Sequence, residues 1–308
     1  MLSGLITILG LFVLEVVQSV DNAVVNAHVL RTMSAKARRW FLIWGILTAV
    51  VLVRGLLPLA IVWISTDGIS FLDAVRATFT SDPIASQAMQ DSAHILLAGG
   101  GVFLLLLYFH WLFVEPKDPF FWQDSWFKEK HGGWFYATAA VITLVLVILI
   151  PDKDTIVGLL AGSTLFFLID GFKKQAEQYE RTVTSGAGSD LAKLAYLEML
   201  DLSFSIDGVF GAFAFTTNVA LILIGNGLGA IVVRELTIRG LQRVGKYRWL
   251  KNGAMTSIGV LGAIMVAHAL GWHPPEWLPT LVTLAIIGVA WVRSQQEIRK
   301  GYGSQEST

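Results

Sequence analysis

Residues 14–22 read Leu-Glu-Val-Val-Gln-Ser-Val-Asp-Asn, and residues 200–208 read Leu-Asp-Leu-Ser-Phe-Ser-Ile-Asp-Gly. The shared pattern is Leu-[Glu/Asp]-x-x-x-Ser-x-Asp-[Asn/Gly]. Both copies sit in apolar surroundings, so Glu15, Asp21, Asp201 and Asp207 fall where a membrane span is expected. A carboxylate near the bilayer centre costs at least about 2.5 kcal/mol. Four such groups in two matching segments therefore mark a site. Glu198, one turn before Asp201, adds a fifth.

The rest of the 308-residue chain supports the membrane setting. Hydrophobic residues make up 54% and charged residues 15%, whereas soluble domains carry about a quarter charged residues. Disorder, collagen and coiled coil are excluded. The absence of cysteine excludes disulfides, thiol catalysis and zinc–thiolate sites. Net charge is zero, and nothing points to nucleic acid. Residues 1–14 are apolar but lack a basic leader and a small-x-small cleavage site, so they read as a first span rather than a cleaved signal.

The expected fold is all-α, a polytopic helical membrane protein with about nine spans. These fall at 3–27, 40–64, 93–114, 134–150, 154–171, 191–222 (long and broken), 225–238, 253–271 and 277–293. Pro151–Asp154 makes a tight hairpin of the fourth and fifth. All but four of the 23 lysines and arginines fall in alternate connections, which places the N-terminus outside and the C-terminus in the cytoplasm. Among the four exceptions, Arg76 and Lys153 lie outside, and Arg54 and Arg234 lie within spans. Residues 1–293 form one transmembrane domain. Its repeat halves are about 1–114 and 191–293, linked by the 134–171 hairpin, and 294–308 is a polar cytoplasmic tail. Tryptophans near the span ends read as an interfacial belt. The 66–92 segment is acidic, external and long enough for a short helix. The aromatic 115–133 segment lies in the cytoplasmic interface. The glycines at 99–101 and 225–229 serve close helix packing or a turn rather than nucleotide binding.

On this topology the two motif copies run in opposite directions, the signature of an inverted-repeat transporter with its site at the midplane. Of the buried bases, only Arg54 and Arg234 are candidates. An excess of buried carboxylate calls for a cation or protons. All the ligands on offer are oxygens, which suits Mn²⁺, Mg²⁺ or Ca²⁺. On an ideal helix Glu15, Ser19 and Asn22 share a face, as do Asp201, Ser205 and Gly208, and Asp21 and Asp207 point elsewhere. Unwinding at each Ser-x-Asp, eased by Gly208 and Gly211, would bring the last carboxylate round. The expected ion site is Glu15, Asp21, Asn22, Asp201 and Asp207. Supporting positions are Ser19, Glu198, Ser205, Thr216, Thr217, Asn218, Asn26 and Arg54, the last neutralising an empty site or pairing with Asp170. His28, His94, His110 and His268 read as locally bonded or interfacial.

The first motif, at 15–22, resembles the first-span motif of the TerC family of integral membrane proteins. Residues 198–218 (EMLDLSFSIDGVFGAFAFTTN) resemble its second motif at Glu198, Asp201, Phe204, Asp207, Thr216, Thr217 and Asn218. Gly208 departs from the usual Ser, and Ala-Phe stands where a Pro often occurs. The resemblance implies a divergent branch of the LysE/TerC transporter group. It associates the chain with manganese export and with tellurite or alkaline-stress resistance. It also places the ion site at Glu15, Asp21, Asn22, Asp201 and Asp207.

These readings lead to a secondary exporter of divalent cations, with Mn²⁺ first, in the prokaryotic inner (plasma) membrane. Exchange with protons drives it, and no cofactor is tightly bound. Its partners are the metal ion, protons and the lipid bilayer. The alternatives are an exporter of small organic cations or amino acids, and a non-transporting membrane scaffold. An enzyme is not expected, since the Gly-x-Gly-Asp of intramembrane aspartyl proteases is absent.

Overall fold

A computed structural model describes residues 2–19, 26, 29–45, 56, 59–60, 63–64, 68–79, 93–115, 117, 132–182, 189–239 and 247–299. Every regular element among them is helical. In chain order they are α1 (Leu2–Gln18), α2 (Ala35–Trp40), a π-helical turn (Phe41–Gly45) and α3 (Phe71–Phe79). Then come α4 (Ala93–Val114), α5 (Gly132–Leu149), α6 (Lys153–Thr182) and α7 (Asp190–Phe213). The last three are α8 (Val219–Arg239), α9 (Leu250–Ala269) and α10 (Leu278–Arg299).

Among the described residues, four helices are long and apolar enough to cross a membrane: α4, Lys153–Gln175 of α6, α9 and α10. Shorter apolar helices cover Leu2–Gln18, Gly133–Leu149 and Val219–Val233. α7 matches them in length, but Asp190, Lys193, Glu198, Asp201 and Asp207 lower its hydropathy. Most of the expected 40–64 span, most of 115–133 and residues 300–308 lie outside the described residues. The expected short helix in 66–92 is α3.

Local chemistry sets the helix ends. Lys117 Nζ reaches back to the carbonyls of Trp111 (3.1 Å) and Leu112, placing a cation where the last turn of α4 leaves acceptors unpaired. Pro151 follows α5 and cannot continue it. Asp152 then opens α6, its carboxylate accepting from the Thr155 N–H (2.8 Å) and hydroxyl (2.6 Å). Those bonds hold the Asp152 carboxyl below the usual carboxylate range. Ser189 caps α7 through the Ala192 N–H. Past α9, Gly271 adopts φ +95, a left-handed conformation suited to glycine at a helix C-terminus.

α4 is apolar all round and sits at the centre, as such a helix must. Val102, Phe103, Leu104 and Leu106 are fully buried. Glycines bring the neighbouring backbones against it. A methyl group at Gly162 would lie 2.0 Å from the Gly99 carbonyl oxygen, and one at Gly158 would lie 2.5 Å from the Ile95 oxygen. α4 and α6 therefore run parallel in direct backbone contact. Gly101 opposes Gly262 and Val266, and Gly259 faces the Tyr108 ring, so α9 is antiparallel to α4. On the other side Gly225 and Gly229 of α8 pack on Leu11 and Glu15 of α1, again in parallel. The 99–101 glycines, Gly225 and Gly229 are thus packing residues, whereas Gly227 faces open space. By contrast α5 exposes Val141, Leu144, Val145 and Ile148, the apolar outer face a lipid-embedded helix presents.

Candidate functional site

The expected 191–222 span is indeed broken, but not at the motif. α7 runs unbroken through Ser205-Ile206-Asp207-Gly208 to Phe213, and the break is the turn at 214–218. Unwinding at Ser-x-Asp is therefore corrected for the second copy. Its glycines allow close approach instead. A methyl at Gly211 would come within 3.2 Å of Leu14, and one at Gly208 within 3.2 Å of Glu15 Oε2. A side chain at Gly208 would press on the Glu15 carboxylate.

α1 and α7 cross antiparallel. At one end Glu15 of the first copy lies over Gly208 of the second. At the other, Asn26 Nδ2 donates to Asp201 Oδ1 at 2.8 Å. Ser19 Oγ donates to Glu15 Oε1 at 2.5 Å. Glu15, Ser19, Asn26, Asp201, Ser205 and Asp207 are all buried.

Asp207 points away from Gly208 toward α6, as helical geometry requires of adjacent residues. There Lys173 Nζ binds its Oδ2 at 2.6 Å, with side chains 20% and 6% exposed. Close by, Lys174 Nζ binds Asp170 Oδ2 at 2.6 Å. His110 Nε2 lies 3.2 Å from Asp170 Oδ1 but off the line of a hydrogen bond. Lys251 closes the cluster through Glu115 Oε2 at 2.9 Å.

One expectation is corrected. Buried bases other than Arg54 and Arg234 do accompany the acids, because Lys173 holds Asp207 and Lys193, only 5% exposed, donates to the Thr32 carbonyl at 2.8 Å. Asp170 is met by Lys174. A lysine near a span end counts in sequence only toward orientation. The signal available was the Asp170-x-x-Lys173-Lys174 spacing, which sets both amines within one turn of an acid.

Asp21, Asn22 and Arg54 lie outside the described residues. Among the described ones, no three His, Asp or Glu side chains converge as a metal cage. Glu198, Asp201 and Asp207 are instead strung along about 14 Å of α7, at 1.5 Å per residue. Thr216 and Asn218 make a helix cap. Asn218 Oδ1 accepts from the N–H groups of Ala220 (3.0 Å) and Leu221 (3.2 Å), and Thr216 Oγ1 from that of Asn218. Thr217 lies in the same turn, about two helical turns past Gly208.

Several buried polar atoms have no hydrogen-bond partner, among them four carbonyl or carboxylate oxygens: Gln18 Oε1, Asn26 Oδ1, Glu198 Oε1 and Asp207 Oδ1. All four belong to the two motif copies or the turns flanking them. Buried acceptors are ordinarily satisfied, so each of these open oxygens can take a donor, water or a cation.

Apolar helices around a buried acidic seam define a helical membrane protein. Residues 20–301 match the family described as protein of unknown function (DUF475), and the chain belongs to it. It is also 27% identical over 113 residues to the Uncharacterized membrane protein YceF of Bacillus subtilis (strain 168). That match covers 35% of this chain and 44% of the relative. No solved structure matches.

Proposed function

We propose that the protein is a secondary transporter that moves a small cation, a divalent metal ion with Mn²⁺ first, in exchange for protons. The observation that carries this reading is the set of four unpartnered acceptor oxygens, from the two motif copies and the turns flanking them. Their all-oxygen chemistry suits a hard divalent ion. The resemblance of both motifs to those of the TerC family favours manganese and export. In the nine-span arrangement, with the N-terminus outside, the two copies are inverted about the midplane. Glu198, Asp201 and Asp207 then form a ladder along α7. Protons entering from outside would neutralise the acids and release the ion. Facing the cytoplasm, the acids would lose protons and bind again.

A second reading has its own support. The Lys173 ammonium already sits against Asp207, so a primary amine fits that carboxylate. Small organic cations or amino acids are the substrates this favours.

Flux in proteoliposomes separates the readings, with Mn²⁺, Mg²⁺, Ca²⁺, Zn²⁺ and lysine offered in turn to the native chain and to Asp207→Asn. A saturable, pH-dependent Mn²⁺ flux lost in the variant is the expected result. Lysine flux without metal would move the assignment to organic cations. No flux of any substrate by folded protein would overturn transport and favour a scaffold.

A further inference from the structure

The Lys173–Asp207 bond is an unusual partner for a cation site, because the amine covers one of the oxygens a substrate would use. Asp207 Oδ2 is taken at 2.6 Å, and its Oδ1 is buried and open. The ammonium reaches across from α6 rather than along α7. It hangs on a four-carbon stem with freely rotating bonds, and its side chain is 20% exposed, so it has room to leave.

It also has somewhere to go. Asp170 lies three residues earlier on α6, and residues three and four apart share a helix face. Lys174, at i+4, now holds Asp170 at 2.6 Å. Lys173, at i+3, is equally placed to reach that acid, but spends its charge on Asp207. Lys174 is 44% exposed and can yield to water. Asp170 thus stands between two amines, one of which is borrowed by the next helix.

Resting on the cation-transport reading, we propose that Lys173 is a tethered competitor of the transported cation. It holds Asp207 while the site is empty and swings to its helix neighbour Asp170 when a cation takes its place. The exchange keeps Asp207 paired in both conditions. It also gives the empty carrier a charge-balanced form that crosses back without cargo. An unpaired carboxylate at this depth would instead have to take up a proton first.

The test is acylation of lysines in the purified full-length chain, read peptide by peptide by mass spectrometry, beside a Mn²⁺ binding isotherm. Asp207→Asn should speed Lys173 labelling without any metal, since the pair is broken. In the native protein MnCl₂ should speed Lys173 labelling along the same curve as Mn²⁺ binding, with Lys153 unchanged. Lys173→Gln should bind Mn²⁺ at least about tenfold tighter, the smallest gain expected when a charge-assisted bond to the same oxygen is removed. Asp207-dependent Mn²⁺ binding with flat Lys173 labelling overturns the competitor and leaves the transport reading standing. Binding by Lys173→Gln but not by the native chain supports it. No binding by either overturns both. The metal-dependent labelling arm uses the native chain, so poor folding of Lys173→Gln or Asp207→Asn would not rescue a failed prediction.

Discussion

Replacing Gly162 by alanine tests whether α4 and α6 are held backbone to backbone. The added methyl would lie 2.0 Å from the Gly99 oxygen, 2.6 Å from its carbonyl carbon and 2.7 Å from its Cα. No flexible side chain stands between them to give way. Restoring a contact distance of about 3.4 Å needs the helices to part by more than 1 Å, and a 0.5–1 Å gap forfeits about a quarter to a half of each dispersion contact. The contacts at risk include fully buried Leu159 and the Phe103–Phe166 ring pair. Overpacking costs about 1–3 kcal/mol, against which alanine returns up to about 1 kcal/mol of helix propensity. Gly171, on the same helix, has nothing within 4 Å of its would-be methyl. There alanine should be neutral or stabilising by up to about 1 kcal/mol. Unfolding by SDS in mixed micelles, followed by tryptophan fluorescence, should separate the two variants by about 1–3 kcal/mol, since the propensity gain is common to both. Equal stability of Gly162→Ala and Gly171→Ala would refute the backbone contact.

Two further outcomes follow from the motif ends. Asn26→Ala removes the donor 2.8 Å from Asp201; hydrogen bonds to charged groups contribute about 1.5–3 kcal/mol, and a loss of that size is expected in the same SDS titration, with no change meaning the bond contributes nothing. The other outcome concerns pH. The Ser34 hydroxyl and N–H donate to Asp190 and hold its carboxyl below its ordinary 3.8. A depressed folded value means the latch stabilises the protein above the unfolded value and is lost as pH falls through the folded one. Hydrogen exchange in residues 35–41 should therefore rise below about pH 3.8 in the native chain and already be high at neutral pH in Asp190→Asn. Unchanged protection across that range would discard the latch.

Much of the scaffold was legible because it is written in long uncharged runs. The 93–114 run contains no charge and is bounded by Pro116, and α4 has those same limits. The 151–154 hairpin was equally plain, since Pro151 ends one helix and Asp152 caps the next. The break after the second motif was harder. Ser, Asp and two glycines suggested unwinding, but helix-to-helix contact uses those glycines, and the chain turns instead where Thr216 and Asn218 supply a cap. The repeat itself gave Glu15, Asp201 and Asp207 as buried acids. It did not give Lys173, because that contact is set by how α6 lies against α7, which no local pattern encodes. Asp21, Asn22 and Arg54 fall outside the described residues.

The glycine seams also divide the molecule mechanically. α4, α6 and α9 touch through main chain, where no rotamer can hop to absorb a displacement, so they travel as one block. α1 and α8, locked through Gly225 and Gly229, make a second. α7 touches both. It meets the second block across Gly208 and is keyed to the first twice over, through Phe210 stacked on Phe103 at 4.7 Å and through the 2.6 Å Lys173–Asp207 bond. That bond is the polar rivet on a seam whose remaining fastenings are apolar.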